Sequence, residues 1–582
     1  MSLELYCPEN ISGKTGCICS FEYVPLLFSL IMAFILITPS ESRGQIIPAG
    51  SLHDEFIRIQ ALMNDSTNYS FVNRPVSYHY RSVSAGSDQA AGLWNRPMQG
   101  FTISPVEGFR AGLNPFVIKN TFNSRLPHGQ NNDAAWYGRG FNTEFRGGFF
   151  VTSKFLTINF YPHLIYQENR DFLHPRFIPR RSGEVRYLAE GIGNELDAPF
   201  RFGPDPFSTF DLGASSIRFH FREFETGISS EPLWWGGAVQ YPLVMSNNAP
   251  GIHHVFIGTR EKVKIPYLGY FQFRWILGYP EESGYYRGTG SGQTRFTNAA
   301  NFAFSPPFLK HLTIGLTRVY HLYETDGFDI ANALVMFDPV RRSSLVGRQG
   351  PDGTRQRRNQ TASFYAHLHL PEANAEIYGE FYREDHSYDF RDYFIQPHHN
   401  SAYAFGFQKI SYIPWFDIVK TNLEFTNLTS TQLNQVRPQT YFYTHSRIRQ
   451  GHTNRGQILG AAIGPGSNSQ YIGMDGYKDN YKVGFFAQRI VVNDNFHFEE
   501  GSASVAPSPN FGDYFRHRVD LNFGLNFLYG PGPFYLQSRL VWTKAFNYGR
   551  FDYGNFRGIN VTNYEHNDRT NVQFQIGITY VL

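Results

Sequence analysis

Cysteine is nearly missing from this chain of 582 residues. Cys7, Cys17 and Cys19 all stand before the one sustained apolar run, Val24 to Ile37. That run has 14 residues, too few to cross a bilayer as a helix and suited to the core of a signal peptide. Cleavage after Ser42-Arg43-Gly44 leaves small residues where a signal peptidase reads and makes Gln45 the first mature residue. Residues 1–44 are therefore expected to be a signal peptide, and the exported chain to contain no disulfide. The segment before the run carries Glu4, Glu9 and Glu22 against Lys14. Signal peptides begin positive, so this pattern fits a start codon placed too far upstream.

Charge of one sign is also lacking. The formal net charge is +3, and removing residues 1–44, with two basic and four acidic side chains, makes it +5. So small and dispersed a surplus gives no electrostatic footprint for nucleic acid. Methionine is scarce, with 7 residues, whereas there are 55 Phe, 36 Tyr, 54 Gly and 33 Pro. Aromatics favour strands, and Gly and Pro favour turns. An exported chain without disulfides or an 18-residue apolar segment leaves two main readings, a soluble β protein or an outer-membrane β-barrel. The second escapes hydropathy averaging because only alternate residues meet lipid.

Alternation decides between them. At the C-terminus Val572, Phe574, Ile576 and Ile578 alternate with Asn571, Gln573, Gln575, Gly577 and Thr579. Val519, Leu521, Phe523, Leu525 and Phe527 alternate with Arg518, Asp520, Asn522, Gly524 and Asn526. Short turns such as Gly530 to Pro533, Pro371 to Asn374, Ile413 to Trp415 and Ser305 to Pro307 join strand pairs, and long polar connections, 323–360, 429–466 and 493–516, lie between the pairs. Short turns alternating with long loops are the mark of a barrel with periplasmic turns and extracellular loops. With the C-terminus in the periplasm, strands 534–546, 480–492, 416–428, 374–384, 310–322, 268–278 and 215–227 run outward. Candidates at 143–152 and 154–164 bring the total to about 18. The fold class is therefore all-β, a transmembrane antiparallel barrel over 76–582 with short helical elements at its periplasmic end. Residues 45–75 form a periplasmic helical segment, in which Ser51 caps a helix with Asp54 at its third position and Phe56, Ile59 and Met63 share one face. Parity sends the Pro- and Arg-rich stretch 168–213 to the same end. The terminal pattern Gln575-x-Gly577-x-x-Tyr580-x-Leu582 resembles the signal read by the outer-membrane barrel assembly machinery, which makes that machinery and outer-membrane lipid expected partners.

Two aromatic stretches fall on outward loops, "NNDAAWYGRG" (131–140) and "EPLWWGGAVQYPLVMSNNAPG" (231–251). Sugar rings stack on Trp and Tyr, and their hydroxyls need fixed amide and charged partners. Trp136, Tyr137, Trp234 and Trp235, beside Asn131, Asp133, Arg139, Glu231, Asn247 and Asn248, supply both. The competing structural explanation is an aromatic girdle or loop packing. "REDHSYDFRD" (383–392) is either a cation or acidic-sugar site or an ion network stiffening a loop. Arg341, Arg342, Arg348, Arg355, Arg357 and Arg358 either attract an anionic polymer or are simply solvated. The pairs His253-His254, His398-His399 and His367-x-His369 lack a third ligand at metal spacing, and no His-Glu-x-x-His occurs. "GAAIGPG" (460–466) lacks the helix a phosphate loop needs. Catalytic residues, metal and cofactor are therefore not expected.

"WYGRGFN" (136–142), "EPLWWGG" (231–237), "SNNAPG" (246–251) and "YTHSRIRQGHTNRGQILGAAIGPGSNSQ" (443–470) resemble the capsule assembly protein Wzi family in its Bacteroidetes-type form. The resemblance implies an 18-stranded outer-membrane barrel of a Gram-negative bacterium, with helical elements on the periplasmic side. It also implies a non-enzymatic lectin whose outward loops hold capsular or extracellular polysaccharide at the cell surface. The residues carried as polysaccharide contacts are Trp136, Tyr137, Arg139, Glu231, Trp234, Trp235, Asn247 and Asn248. A porin-type channel is the alternative, and a barrel enzyme acting on envelope lipid or sugar is a third class.

Overall fold

Period-two alternation gives each strand two unlike faces, and the computed structural model shows which face looks where. It describes residues 46–581 apart from 64–70, 78–91, 96–97, 99–100, 105–107, 175–191, 193–194, 327–332, 335, 337–358, 385–389, 432–440, 496–516 and 549–566. The segment 1–44, the basic run 341–358, Asp385, Asp389 and Leu582 lie outside the described residues.

Eighteen antiparallel strands form one closed wall. They are β1 (Arg110–Asn123), β2 (Gly140–Thr152), β3 (Leu156–Phe160 and His163–Gln167), β4 (Phe207–Asp211 and Ser216–Phe221), β5 (Phe224–Ser229) and β6 (His253–Thr259 and Val263–Ile265). Then follow β7 (Gly269–Tyr279), β8 (Arg295–Ser305), β9 (Leu312–Tyr323), β10 (Asn359–Leu370), β11 (Ala375–Glu384) and β12 (Ser401–Ile413). The last six are β13 (Phe416–Asn427), β14 (Asn468–Lys478), β15 (Tyr481–Val491), β16 (Val519–Tyr529), β17 (Phe534–Phe546) and β18 (Arg569–Tyr580). Closure comes from β18 against β1, in register from Gln573 opposite Asn123 to Tyr580 opposite Phe116. The ladder between β1 and β2 skips at Asn114/Val117, around Pro115, which has no N–H to give it.

The faces are inverted relative to a water-soluble protein. On β18, Asn571 and Gln573 are 1% and 3% exposed while Val572 and Phe574 are 39% and 46% exposed. The same inversion runs round the wall, with Phe523 and Leu525, Val483 and Phe485, Tyr403 and Phe405, and Phe141 and Phe145 exposed, and Asn522, Gln488, Gln408, Asn142 and Glu144 buried. Such a wall is stable only where its outside meets hydrocarbon.

Six of the seven outward runs expected from the sequence run as expected. The seventh, 215–227, is corrected: it is a hairpin, Ser216–Phe221 paired with Phe224–Ser229 across a turn at Arg222-Glu223, with Arg222 in the left-handed region (φ 50). The outward apolar set switches there from odd numbers (Ile217, Phe219) to even ones (Phe224, Ile228). No Gly, Pro or Asn marks the turn. Missing it reversed the parity upstream, so the placement of 168–213 at the periplasmic end is also corrected. The connection 168–206 leaves β3 at the same end as 124–139, and Arg139 bonds the Asp171 carbonyl there.

Part of the lumen is occupied by the chain's own described segments. Helix α1 (Leu52–Met63) is capped by Ser51, whose Oγ accepts from the Asp54 amide at 3.2 Å, while Asp54 Oδ2 accepts from the Gly50 amide at 2.8 Å. Its face Phe56, Ile59 and Leu62 packs with Trp94 against Ile410, Ile418, Tyr477, Leu528 and Tyr535, all at the short-turn ends of their strands. Glu55 pins it: Lys420 and Lys482 donate to the carboxylate at 2.9 Å each, and the Tyr477 hydroxyl at 2.5 Å. Burial alone would raise the Glu55 pKa. The two lysines and the Tyr477 hydroxyl outweigh it and hold the carboxylate well below its ordinary range.

Two predictions follow from this arrangement. Phe574→Arg places a cation on the lipid face of β18 and lowers the unfolding free energy in lipid vesicles by about 2–4 kcal/mol, read by urea titration of tryptophan fluorescence. A carboxylate depressed in the folded state stabilises above its unfolded pKa, about 4.3, and that contribution fades as pH falls through the folded value. Protection of the α1 amides, taken as the ratio of the intrinsic to the observed exchange rate at each pH, is therefore high at pH 7 and falls below pH about 4, whereas Glu55→Gln is poorly protected at pH 7 already.

Candidate functional site

Buried carboxylates on the wall fix the long connections, and the connections in turn present what faces outward. Connection 230–252 turns down into the lumen. Its Trp234 and Trp235 pair antiparallel with Arg74 and Asn73 of the N-terminal segment. Glu424 of β13 accepts the amides of Val239, Gln240 and Tyr241 at 2.8, 2.9 and 2.8 Å, and Glu380 of β11 accepts that of Leu243 at 3.1 Å. Trp235, Leu243 and Met245 form a buried cluster with Tyr378, Tyr382 and Ala402 of the wall and with Tyr443, Leu459 and Ala461 of connection 428–467. His452 of that connection stays neutral: burial lowers its pKa to about 4, and its ring bonds the Val244 carbonyl at 2.6 Å and His321 at 2.8 Å.

Above this plug, five connections meet. Asn131, in the left-handed region (φ 57), donates from its side chain to the Gln240 carbonyl at 2.8 Å and from its amide to Asn248 Oδ1 at 3.3 Å. Asn248 Nδ2 donates to the Ile458 carbonyl at 3.0 Å, and Gln457 bridges the carbonyls of Asp133 and Asn248 at 3.2 and 2.8 Å. Beside this amide lattice, Trp136 packs on Phe202 at 5.3 Å, and Phe202 meets Tyr285 edge-on at 5.9 Å. All three rings are half-buried. Gly203, at φ 74, leaves room for Tyr285: a Cβ there would stand 2.6 Å from its hydroxyl. Nearby, burial pushes the Asp197 carboxyl up despite the Ser283 amide, which donates to it at 2.7 Å. The assembly offers flat aromatic faces set among fixed amides, the surface a sugar ring requires.

The residues singled out from the sequence divide into two groups. Trp136, Arg139 and Asn248 are half-buried at the outer end. Arg139 Nε donates to the Ser124 carbonyl at 3.2 Å. Tyr137, Glu231, Trp234, Trp235 and Asn247 are buried. The Tyr137 hydroxyl bonds Glu144, and Glu231 pairs with Arg218 and accepts from Ser216 and Ser229 at 2.9 and 3.0 Å. The Trp234 indole N–H donates to the Ala238 carbonyl at 3.0 Å, and Asn247 Nδ2 to the Ala49 carbonyl at 3.2 Å. Phe202 and Tyr285 were not found from the sequence. The parity error had sent Phe202 to the far end, and no local pattern sets Tyr285 apart from the other tyrosines. Among the described residues, no group of three or more His, Cys, Asp or Glu side chains is placed to hold a metal ion.

The sequence model of the family described as "Capsule assembly protein Wzi" matches residues 124–483. The chain belongs to the capsule assembly protein Wzi family. All eight residues weighed above lie within that Wzi-matching stretch. The Wzi outer-membrane protein of Escherichia coli, described as involved in group 1 capsule assembly and as a carbohydrate-binding β-barrel, shares its fold. The TM-score is 0.59 at 12% identity, over 93% of this chain and 100% of that one. OprD of Pseudomonas aeruginosa aligns at TM-score 0.36 and 9% identity, over 81% and 92%, and a BenF-like porin of Pseudomonas fluorescens at 0.37 and 9%, over 81% and 99%. No curated protein sequence matches the chain. Like the Wzi fold it shares, the protein is an outer-membrane barrel, its long connections facing the cell exterior.

The plug depends on Glu424. Glu424→Ala leaves the amides of Val239, Gln240 and Tyr241 without their acceptor, at about 1–3 kcal/mol for the buried one at Tyr241 and less for the two half-buried ones. Limited proteolysis is expected to cut within 230–252 in this variant and not in the parent, while heat-dependent gel migration shows the barrel still closed.

Proposed function

We propose that the protein is a non-enzymatic surface lectin that binds capsular or extracellular polysaccharide and helps hold it at the cell surface. The observation that carries this reading is the half-exposed aromatic group Trp136, Phe202 and Tyr285 beside the amide lattice of Asn131, Asn248 and Gln457. Stacking on these rings supplies affinity, and the amides fix the orientation of hydroxyls. Trp136, Arg139 and Asn248 are assigned direct contact. Tyr137, Glu231, Trp234, Trp235 and Asn247 act by holding the connections in shape. Each site binds weakly, and many copies on one polymer retain it by avidity. The terminal Gln575, Gly577 and Tyr580, with Leu582, serve the barrel assembly machinery, and the apolar outer wall meets membrane lipid. A porin-type channel has less support, because helix α1 and connection 230–252 occupy the lumen.

Deleting the protein is expected to move polysaccharide from the cell surface into the medium with total polymer unchanged. Trp136→Ala combined with Tyr285→Ala reproduces the release with the barrel folded at normal abundance. Cell-bound polymer that stays at parental levels in both strains contradicts the proposal, and ion conductance of porin size in planar bilayers favours the channel.

A further inference from the structure

The lipid-facing wall is not evenly convex. Across β3 to β7 it carries a trough of about 630 Å³, within the range of small-molecule sites. One row of the sheet forms its lower edge, with Ile158, Ile217, Ile228, Val255 and Leu277 opposite one another on successive strands. Ile217, Ile228 and Val255 are exposed. Two residues further out along each strand the row reads Phe160, Ser215, Ser230, His253 and Tyr279, large at its two ends and small between them. Two turns of the backbone make the depression. On β4 the outward set changes from even numbers (Phe210, Leu212) to odd ones (Ile217, Phe219), and the register against β3 changes by one residue between Asp211–His163 and Ser216–Asn159, as at a bulge. Strand β5 stops at Ser229, and from Ser230 the chain leaves the wall for the lumen.

The two serines do not make the trough a polar site. Ser215 Oγ accepts from the Tyr161 amide at 2.9 Å and donates to the Leu212 carbonyl at 2.5 Å, and Ser230 Oγ donates to the Gly213 carbonyl at 2.9 Å. Both hydroxyls are thus committed to the wall's own backbone. The His253 ring lies on the outer side, 3.6 Å from Glu281. The aromatic shoulders are held by neighbours on the same face, Phe160 by Phe149 at 5.7 Å and Tyr279 by Phe296, edge-on, at 5.5 Å. We propose that this trough binds one acyl chain of an outer-membrane lipid. Hydrocarbon is the solvent of this face, so the trough is continuous with the surface already in contact with lipid. A second barrel would present a convex wall, which does not enter between two shoulders. A single chain does, and the shoulders stand four strand spacings apart, about 19 Å, the length of an extended fatty chain. A chain lying there touches protein on more than one side, which a flat stretch of wall does not provide. The assignment rests on the wall's contact with hydrocarbon and is independent of the polysaccharide reading.

The test is native mass spectrometry of the intact protein in detergent micelles, titrated with dimyristoyl phosphatidylethanolamine or with the dihexanoyl lipid of the same headgroup. One dimyristoyl lipid per barrel is expected at saturation, the dihexanoyl lipid binding about tenfold more weakly or less. Val255→Trp fills the trough and is expected to weaken binding about tenfold. Ile257→Trp, one row below on the same exposed face, binds like the parent, and heat-dependent gel migration shows both barrels closed. Equal binding of the two lipids overturns the assignment, as does parental binding in Val255→Trp, an equal loss in Ile257→Trp or detergent as the sole adduct. A dimer that Val255→Trp dissociates also overturns it and makes the trough a contact between copies.

Discussion

Every backbone donor and acceptor that enters hydrocarbon must find its partner within the protein, and this chain meets that demand by closing β18 on β1. Closure abolishes the edge that an open sheet would expose. It also fixes which side of each strand meets lipid, because a one-residue slip would carry Phe574 and Ile576 inward and Gln573 and Gln575 outward. The inverted burial of apolar and polar side chains is thus a consequence of the membrane, and the rest of the architecture follows from it.

An 18-strand wall encloses more space than its own inward side chains fill. The chain fills it with its own segments, α1 at the short-turn end and connections 230–252 and 428–467 towards the outer end. Filling a polar lumen with backbone raises the problem of unpaired amides. Glu424 and Glu380 solve it by accepting the N–H groups of 239–241 and 243. Small wall residues, Ala299, Ala402 and Ala404, make room for Trp235 and Tyr443. The result is a packed base above which Trp136, Phe202, Tyr285 and Asn248 are held by ring contacts and amide hydrogen bonds.

Much of this was legible in the sequence because period-two alternation and turn length are local signals. The strands from 268 onward, the long-loop end and the capped helix after Ser51 could all be read from neighbouring residues. Arg222-Glu223 could not, since the turn uses neither Gly nor Asn and both flanks alternate. Its trace was the odd-to-even switch between Phe219 and Phe224, which an unbroken alternating run conceals. The aromatic stretches belong to connections that leave the wall at the long-loop end, but sequence does not say whether such a connection stands out or folds in, and 231–251 folds in. That depends on distant partners, Glu424 for Tyr241 and Asn73 for Trp235, which no local pattern specifies.

The central claim is that the apolar stripe of each strand faces acyl chains and the polar stripe faces a protein-filled lumen. Spin labels placed singly from Thr570 to Tyr580 in lipid vesicles test it most directly, with oxygen reporting lipid contact and a water-soluble nickel chelate reporting aqueous contact. The account predicts high oxygen accessibility at 572, 574, 576 and 578 and low values at 571, 573, 575, 577 and 579. Accessibility to the nickel reagent at the even positions, or no alternation along the strand, would contradict it.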